Sequence, residues 1–406
     1  MNTLDPDQGY LSVLNLLHTR SLEGWDIPTL MREVAAHLGE LGMQLCRIHI
    51  GRPILHPLFV VGAYTWYPDN EVELDTYTRS ADQQDKGPFL QSPVYPVYKS
   101  GAFEGRYRIR AGSESDRFPL FVKVAAEGGT DYFLQLTGYE DRSIMPAGQE
   151  GILISWISSA AEGFSEPEID LLRRLHMPLC VELQSLTHKI LIKDILRAYL
   201  GDYSADRVYS GQIQRGDGDV INAVILFCDL RDSSKLAELY DLDGFLDVLN
   251  DYYDATAGAV IQGGGEVLRY IGDASLAIFP IERYADEQQA CQVALDVAFN
   301  AITRTERLNA HRTERGDPPI KFGIGLHCGT VVYGNIGTAD RIEFTVIGKA
   351  ANETARIEAQ CKELNETILV SDTFAEKLDH RWRSHGKFEL RNIGHPIEIL
   401  SPAEQS

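Results

Sequence analysis

Two aspartates stand at the ends of apolar runs. Ala223 to Cys228 is continuously apolar and stops at Asp229. Glu266–Tyr270 and Ala274–Phe279 flank Ile271-Gly272-Asp273, so a hairpin made of the two segments presents Asp273 at its tip. A carboxylate buried at a strand end is costly unless its charge meets a partner. One outlet is structural, with each aspartate capping a helix or a turn. The other is chemical, with the pair chelating divalent cations. Mg²⁺ takes one or two protein carboxylates together with substrate phosphates. Two such ions can activate an attacking oxygen and neutralise a leaving pyrophosphate.

Further motifs follow in order. Phe227-Cys228-Asp229-Leu230-Arg231 and Arg269-Tyr270-Ile271-Gly272-Asp273 precede Gly323-Ile324-Gly325-Leu326-His327-Cys328-Gly329. Then come Val332-Tyr333-Gly334-Asn335-Ile336-Gly337, Phe344-Thr345-Val346-Ile347-Gly348 and Asn352-Glu353-Thr354-Ala355-Arg356-Ile357-Glu358. As an ordered set, spanning about Val220 to Leu400, they resemble the catalytic domain of class III adenylate and guanylate cyclases, and the two glycine-rich segments resemble that family's next two strands. The resemblance implies that Asp229 and Asp273 hold two Mg²⁺ or Mn²⁺ ions per site, helped by the Leu230 carbonyl. It implies that backbone amides of Leu230, Arg231, Asp232, Ser233 and Ser234, at a helix start, cradle phosphates. Asn352 would orient the ribose, and Arg356 would stabilise the phosphate as the 3′-oxygen attacks. Arg391 is either a contact to the phosphate tail or an exposed residue of a C-terminal hairpin.

The same resemblance places base selection at positions 269 and 345. Adenylate cyclases usually carry Lys at the first and Asp or Thr at the second; guanylate cyclases usually carry Glu and a small residue. This chain has Arg269 and Thr345. Arg can donate to adenine N1, although its planar fork is larger than an ammonium, and Thr345 can accept from the adenine amino group. The pair favours ATP and leaves GTP open. Arg231-Asp232-Ser233-Ser234 departs from the family's Arg-Gly-Phe-Thr, and Asp232 repels a triphosphate unless it is turned away. Lys349 stands where Asp or Asn is common.

These residues need a scaffold, and the pattern divides the 406 residues in two. Ile27–Leu41 carries apolar residues at helical spacing. Leu45–Ile50, Leu58–Trp66, Tyr107–Ile109, Leu120–Ala126, Tyr132–Leu136 and Gly151–Ser158 read as strands, and Pro68–Ser100, with four prolines, as a long loop. Ser165 and Glu168 form a capping box, with Phe164 and Ile169 as its hydrophobic staple. The helix they open extends to about Leu200, where the 4-3-4 spacing of Leu179, Leu183, Leu186 and Ile190 suits either a two-helix seam or packing on its own domain. Element order and the segment Phe164 to Leu172 resemble a GAF-type sensory domain, a central antiparallel sheet with helices on one side, with a PAS-like or unassigned α+β domain as the alternative. After Asp229 a single helix is expected, with Leu236, Leu239, Tyr240, Phe245, Leu249, Tyr252 and Tyr253 on its apolar side.

Composition bounds the rest. At 44% hydrophobic and 24% charged the chain reads as globular. A formal net charge of −21 argues against nucleic acid as a partner, which needs clustered Lys and Arg. No apolar run approaches the ~18–20 residues of a membrane span, no secretory signal is seen, and the six cysteines form no CxxC pair. Free buried thiols and a cytoplasmic location are expected. The histidines of the first half, His18, His37, His49, His56, His176 and His188, show no metal-ligand spacing.

The expected fold class is α/β (α+β): a GAF-like domain over 1–163, a signalling helix and linker over 164–219, and a cyclase fold with a ferredoxin-like βαββαβ core over 220–406. The expected function is an adenylate cyclase that converts ATP to 3′,5′-cyclic AMP at a homodimer interface, regulated through the N-terminal domain by an unknown small-molecule or protein signal. The alternatives are a guanylate cyclase and an inactive nucleotide-binding homologue. A diguanylate cyclase is set aside, because Gly263-Gly264-Gly265-Glu266-Val267 lacks that family's acidic pair.

Overall fold

The structure is a computed structural model and describes residues 5–53, 59–69, 71–78, 87–110, 117–138 and 151–403. It falls into two compact units, Met1–Ala198 and Tyr199–Ser406. Among the described residues no helix is long and apolar enough to cross a membrane.

The first unit contains α1 (Pro6–Glu23), α2 (Ile27–Glu40), β1 (Leu45–Pro53), β2 (Phe59–Trp66), β3 (Val72–Thr78), α3 (Gly87–Leu90), α4 (Val94–Ser100), β4 (Glu104–Arg108), α5 (Pro119–Ala126), β5 (Asp131–Gly138), β6 (Gly151–Ser158) and most of α6 (Glu166–Leu200). The strands form one antiparallel sheet in the order β3-β2-β1-β6-β5-β4. Period-2 alternation turns Ile48, Ile50, Ile154 and Trp156 to one face, where they pack with Leu30, Met31 and Val34 of α2 and with Leu179 and Leu183 of α6. The other face packs Tyr132, Leu134 and Ile157 against Phe121 and Val124 of α5.

Several expectations change here. Leu120–Ala126 is helical: Pro119 starts the helix, and Phe121 and Val124 are buried three residues apart while Val122 is exposed. A short apolar run does not distinguish helix from strand by itself. Pro68–Ser100 is not one loop, since it holds β3, α3 and α4. Leu58 lies outside the described residues. The capping box is present in its return half, with the Ser165 amide donating to Glu168 Oε2 at 2.7 Å. The α6 seam resolves in favour of internal packing, because Leu179, Leu183 and Leu186 are buried in their own unit's core and Ile190 packs against it.

The second unit contains α7 (Asp202–Tyr209), β7 (Gly218–Leu230), α8 (Ser233–Leu239), α9 (Leu242–Gln262), β8 (Glu266–Ile271), β9 (Ala274–Pro280), α10 (Glu287–Glu314), β10 (Phe322–Gly337), β11 (Ile342–Ile347), α11 (Lys349–Leu364), β12 (Ile368–Ser371), α12 (Asp372–Ala375), β13 (Trp382–Phe388) and β14 (Ile397–Pro402). The strand order is β13-β14-β12-β10-β7-β9-β8, with β11 paired to β10. The stretch β7-α9-β8-β9-α10-β10 is a βαββαβ unit whose strands lie in the ferredoxin-like order. Val224, Leu226 and Cys228 point toward α9 and α10, and Ala223, Ile225 and Asp229 lie on the opposite face. The expected single helix after Asp229 is two. Asp241 accepts from the Gly244 amide at 2.9 Å and starts α9 afresh, leaving Leu239 exposed. The two glycine motifs, expected as two strands, are one continuous strand, since β-branched Thr330 and Val331 join them without a turn signal. All six cysteines are free thiols and only Cys46 is not fully buried.

Candidate active site

The register of β7 places Asp229 beside Ala274 of β9 and Gly323 of β10. The Leu230 amide donates to the Asp273 carbonyl at 3.3 Å, which draws the hairpin tip against the end of β7. Gly272 turns that tip with φ +65°, and its carbonyl accepts from the Tyr253 hydroxyl at 2.7 Å. The two aspartates predicted from sequence are therefore brought together.

A third acid joins them. Gly323 lacks a side chain, and a Cβ there would fall 2.5 Å from Glu358 Oε1. Glu358 of α11 thus occupies the space beside Asp229. Burial first, and then Asp229 and Asp273, push its carboxyl up to about 7, with Arg231 opposing. Burial and then Asp273 likewise raise Asp229 above the ordinary carboxylate range. Sequence reasoning assigned Glu358 no role, although it closes the Asn352–Glu358 motif. Among the described residues there is no group of three or more ligating side chains set to hold a metal ion. The donors that the resemblance implies, Asp229, Asp273 and the Leu230 carbonyl, are all oxygens and would suit a hard cation that keeps water and substrate oxygens. Burial, and after it the neighbouring carboxyls, raises Asp229 and Glu358, the direction that a bound cation would oppose.

The Leu230 and Arg231 amides, expected to cradle phosphates, donate to the carbonyls of Asp273, at 3.3 Å, and Lys321, at 2.8 Å, and the Asp232 carboxylate is turned away, as a triphosphate there would require. The Arg231 guanidinium donates to the carbonyls of Cys361, at 2.9 Å, and Glu366, holding the end of α11. Asp232 sits in the left-handed region, φ +56°, ψ +28°, which explains why glycine is usual there. Its carboxylate is turned to Lys235, at 2.9 Å, and that ammonium lowers its pKa. Ser233 and Ser234 begin α8, with Asp232 as N-cap. Asp232→Gly is expected to equal or exceed the wild type in thermal midpoint, and Asp232→Val to fall about 2–4 °C below the glycine variant. Equal midpoints for Gly and Val would show that the backbone there relaxes without strain.

The base-selecting positions lie on β8 and β11. A bulge between Val267 and Arg269 re-aims the strand, and Arg269 Nε lies 2.8 Å from Glu343 Oε1. Glu343 was missed by sequence reasoning. It lies two residues from Thr345 and so on the same face of β11. Thr345 is buried opposite Gly334.

α11 separates the remaining residues. Ala350, Glu353, Thr354, Ile357, Glu358 and Cys361 are buried, and Asn352 and Arg356, one turn apart, are exposed. Neither side chain enters a hydrogen bond or ion pair among the described residues. Within one chain the Asn352/Arg356 pair and the acids therefore lie on opposite sides of this helix. Arg391 is exposed in the turn between β13 and β14.

Comparison with known proteins concerns the C-terminal unit. Residues 218–399 match the family model described as the adenylate and guanylate cyclase catalytic domain. The adenylate cyclase of Anabaena cylindrica is 34% identical over 196 residues, 47% of this chain and 37% of its own length. Adenylate cyclase 2 of Rhizobium meliloti is 32% identical over 184 residues, 44% of this chain and 49% of its own. The chain thus spans less than half the length of each of these relatives. Among solved structures, the adenylyl cyclase CyaB from P. aeruginosa aligns with a TM-score of 0.43 at 19% identity, covering 47% of this chain and 97% of that one.

Proposed function

We propose that the C-terminal unit, whose residues 218–399 match the cyclase catalytic domain, converts ATP to 3′,5′-cyclic AMP and pyrophosphate in a homodimer. The observation that carries this reading is the convergence of Asp229, Asp273 and Glu358 at one end of the antiparallel sheet, where burial, and after it the neighbouring carboxyls, raises Asp229 and Glu358. Asp229, Asp273 and the Leu230 carbonyl would hold two divalent cations, Mg²⁺ or Mn²⁺, which when bound activate the 3′-oxygen and neutralise charge on the leaving pyrophosphate. Arg356 donates to the α-phosphate as the 3′-oxygen bonds to phosphorus and the bond to the β-phosphate oxygen breaks. Asn352 holds the ribose, so that the 3′-hydroxyl meets the phosphorus in line. The opposite placement of Asn352/Arg356 and the acids on α11 supports a site built from two chains. Residues 1–163 would carry the regulatory input.

Arg269 recognises the base. Its Nε is held by Glu343, so the outer N–H groups of the fork remain for adenine N1, and Thr345 accepts from the 6-amino group. The same ion pair supports a second reading. Glu343 brings a carboxylate, the acceptor that guanine N1–H and its 2-amino group require, so GTP stands as the alternative substrate. Incubation with ATP or GTP and Mn²⁺, followed by identification of the product, tests the function. The wild type should have the higher kcat/KM for ATP. Arg269→Glu should lower the ATP-to-GTP ratio at least about tenfold, within the ~10⁴-fold that a hydrogen-bonding pocket can command. An unchanged ratio would remove Arg269 from the base site.

A further inference from the structure

β10 presents Gly323, Gly325, His327 and Gly329 at alternate positions, hence on one face, and α11 lies on that face. The glycines are close-approach positions. A Cβ on Gly325 would fall 2.6 Å from the Thr354 carbonyl oxygen, and one on Gly329 would fall 2.5 Å from the Ala350 Cβ. His327 is the one side chain in this stripe, and it is buried. Its ring is engaged at both nitrogens, with Nε2 3.1 Å from Glu353 Oε2 and Nδ1 2.8 Å from Ser371 Oγ. Ser371 in turn caps α12 by accepting from the Phe374 amide at 3.2 Å.

The donor count orients the chain of bonds. A carboxylate only accepts, so Nε2 carries the proton and Nδ1 accepts from a hydroxyl, that of Ser371 at 2.8 Å or of Thr373 at 3.3 Å. Burial lowers the His327 pKa, Glu353 opposing. Glu353 Oε1 faces His395 Nε2 at 3.7 Å, on the turn after β13. A strand face lined by glycine offers α11 closeness but few knobs to fix its rotation. A rotation of about 15° about the helix axis swings the tip of a long side chain by roughly 2 Å, and misplacement by about 1 Å can cost 10²-fold in rate.

We propose that the His327–Glu353 hydrogen bond is the pin that fixes α11 in rotation, and that His327 is thereby a positioning residue for the neighbouring Asn352 and for Arg356 one turn on. This rests on the reading of Asn352 and Arg356 as cyclase residues. The pin itself does not, and it can be read without turnover.

Two measurements on the full chain test it. The first is hydrogen–deuterium exchange at the amides of Lys349–Arg356. Exchange should rise in His327→Leu and in Glu353→Ala, and stay at the wild-type level in His327→Gln and Glu353→Gln, whose amides keep a donor or an acceptor in the bond. The second is ATP turnover with Mn²⁺ well below the thermal midpoint. His327→Leu and Glu353→Ala should lose about 30–100-fold in kcat, with KM and the Mn²⁺ midpoint within about threefold, because Asp229 and Asp273 are held by β7 and its hairpin. The two Gln variants should return to within about fivefold of wild type. If His327→Leu does not fold, Glu353→Ala against Glu353→Gln decides. Equal exchange and equal kcat across the series, with only the thermal midpoint lowered, would overturn the pin. A wild type that makes no cyclic nucleotide would overturn the cyclase reading, and exchange alone would then judge the pin.

Discussion

Asp273→Ala and Arg356→Ala proteins are each expected to be nearly inactive, yet their mixture should recover about a quarter of wild-type activity. Asp273 stands with Asp229 and Glu358 on the sheet side of α11, whereas Arg356 projects from the opposite, exposed side. The chain carries one copy of each motif, so a symmetric dimer would contain two equal sites, each taking its acids from one chain and its Asn/Arg pair from the other. Loss of Asp273 removes half the carboxylate charge proposed to hold the cations. Loss of a preorganised donor such as Arg356 typically costs about 10²–10³ in kcat. Each lesion acts on a group needed in every turnover, so the two losses will not add within one site. In a mixed dimer one site collects both lesions and the other is intact. Random exchange makes about half the dimers mixed, each with one working site of two, hence about one quarter. The readout is cyclic nucleotide formed per milligram after subunit exchange, with exchange shown separately by two tags. A fully exchanged mixture that stays dead would require both halves of the site to come from one chain.

Stability without divalent cations should fall as pH rises, and added Mn²⁺ should restore it more at pH 8 than at pH 5.5. In the folded chain the Glu358 carboxyl is raised from 4.5 to about 7. Between those values the folded state holds more protons than the unfolded state, so stability decreases with pH. The contribution is fully present below about pH 4.5 and is lost as pH rises through about 7. Asp229 is raised as well, so it acts in the same direction. The Glu358 shift alone corresponds to about 3 kcal/mol, or on the order of 6–10 °C in the midpoint of a unit this size. A cation bound at 100 times its Kd adds back about 2.7 kcal/mol. Thermal scans at the two pH values, in EDTA and in Mn²⁺, give four midpoints. Glu358→Gln should flatten the EDTA pair while leaving a Mn²⁺ effect through Asp229 and Asp273. Flat EDTA midpoints from pH 5 to 8 in the wild type would show that neither burial nor the neighbouring charges raise Glu358 and Asp229.

What the sequence determined by itself was local. Ala223 to Cys228 reads as a buried strand because its residues are uniformly apolar, and Asp229 is conspicuous because it ends that run. Gly272 and Asp273 read as a hairpin tip because two short strands flank them. Ser165 and Glu168 announce a helix start because the capping bond spans three residues. Where local pattern was degenerate it failed, as at Leu120–Ala126, where seven mostly apolar residues suit a helix or a strand until a neighbouring sheet selects one face. Tertiary structure alone decided the meetings between residues far apart in the chain. Glu358 reaches Asp229 because glycines at 323 and 325 let α11 settle onto β10, and because β10 pairs with β7 in a register that sets Gly323 opposite Asp229. Arg231 turns to the end of α11, and Arg269 finds Glu343, through packing that no window of neighbours contains. The physical reason is one of range. Backbone periodicity and capping are settled among residues a few positions apart, whereas the charge a buried acid experiences depends on which distant elements the sheet brings to its side.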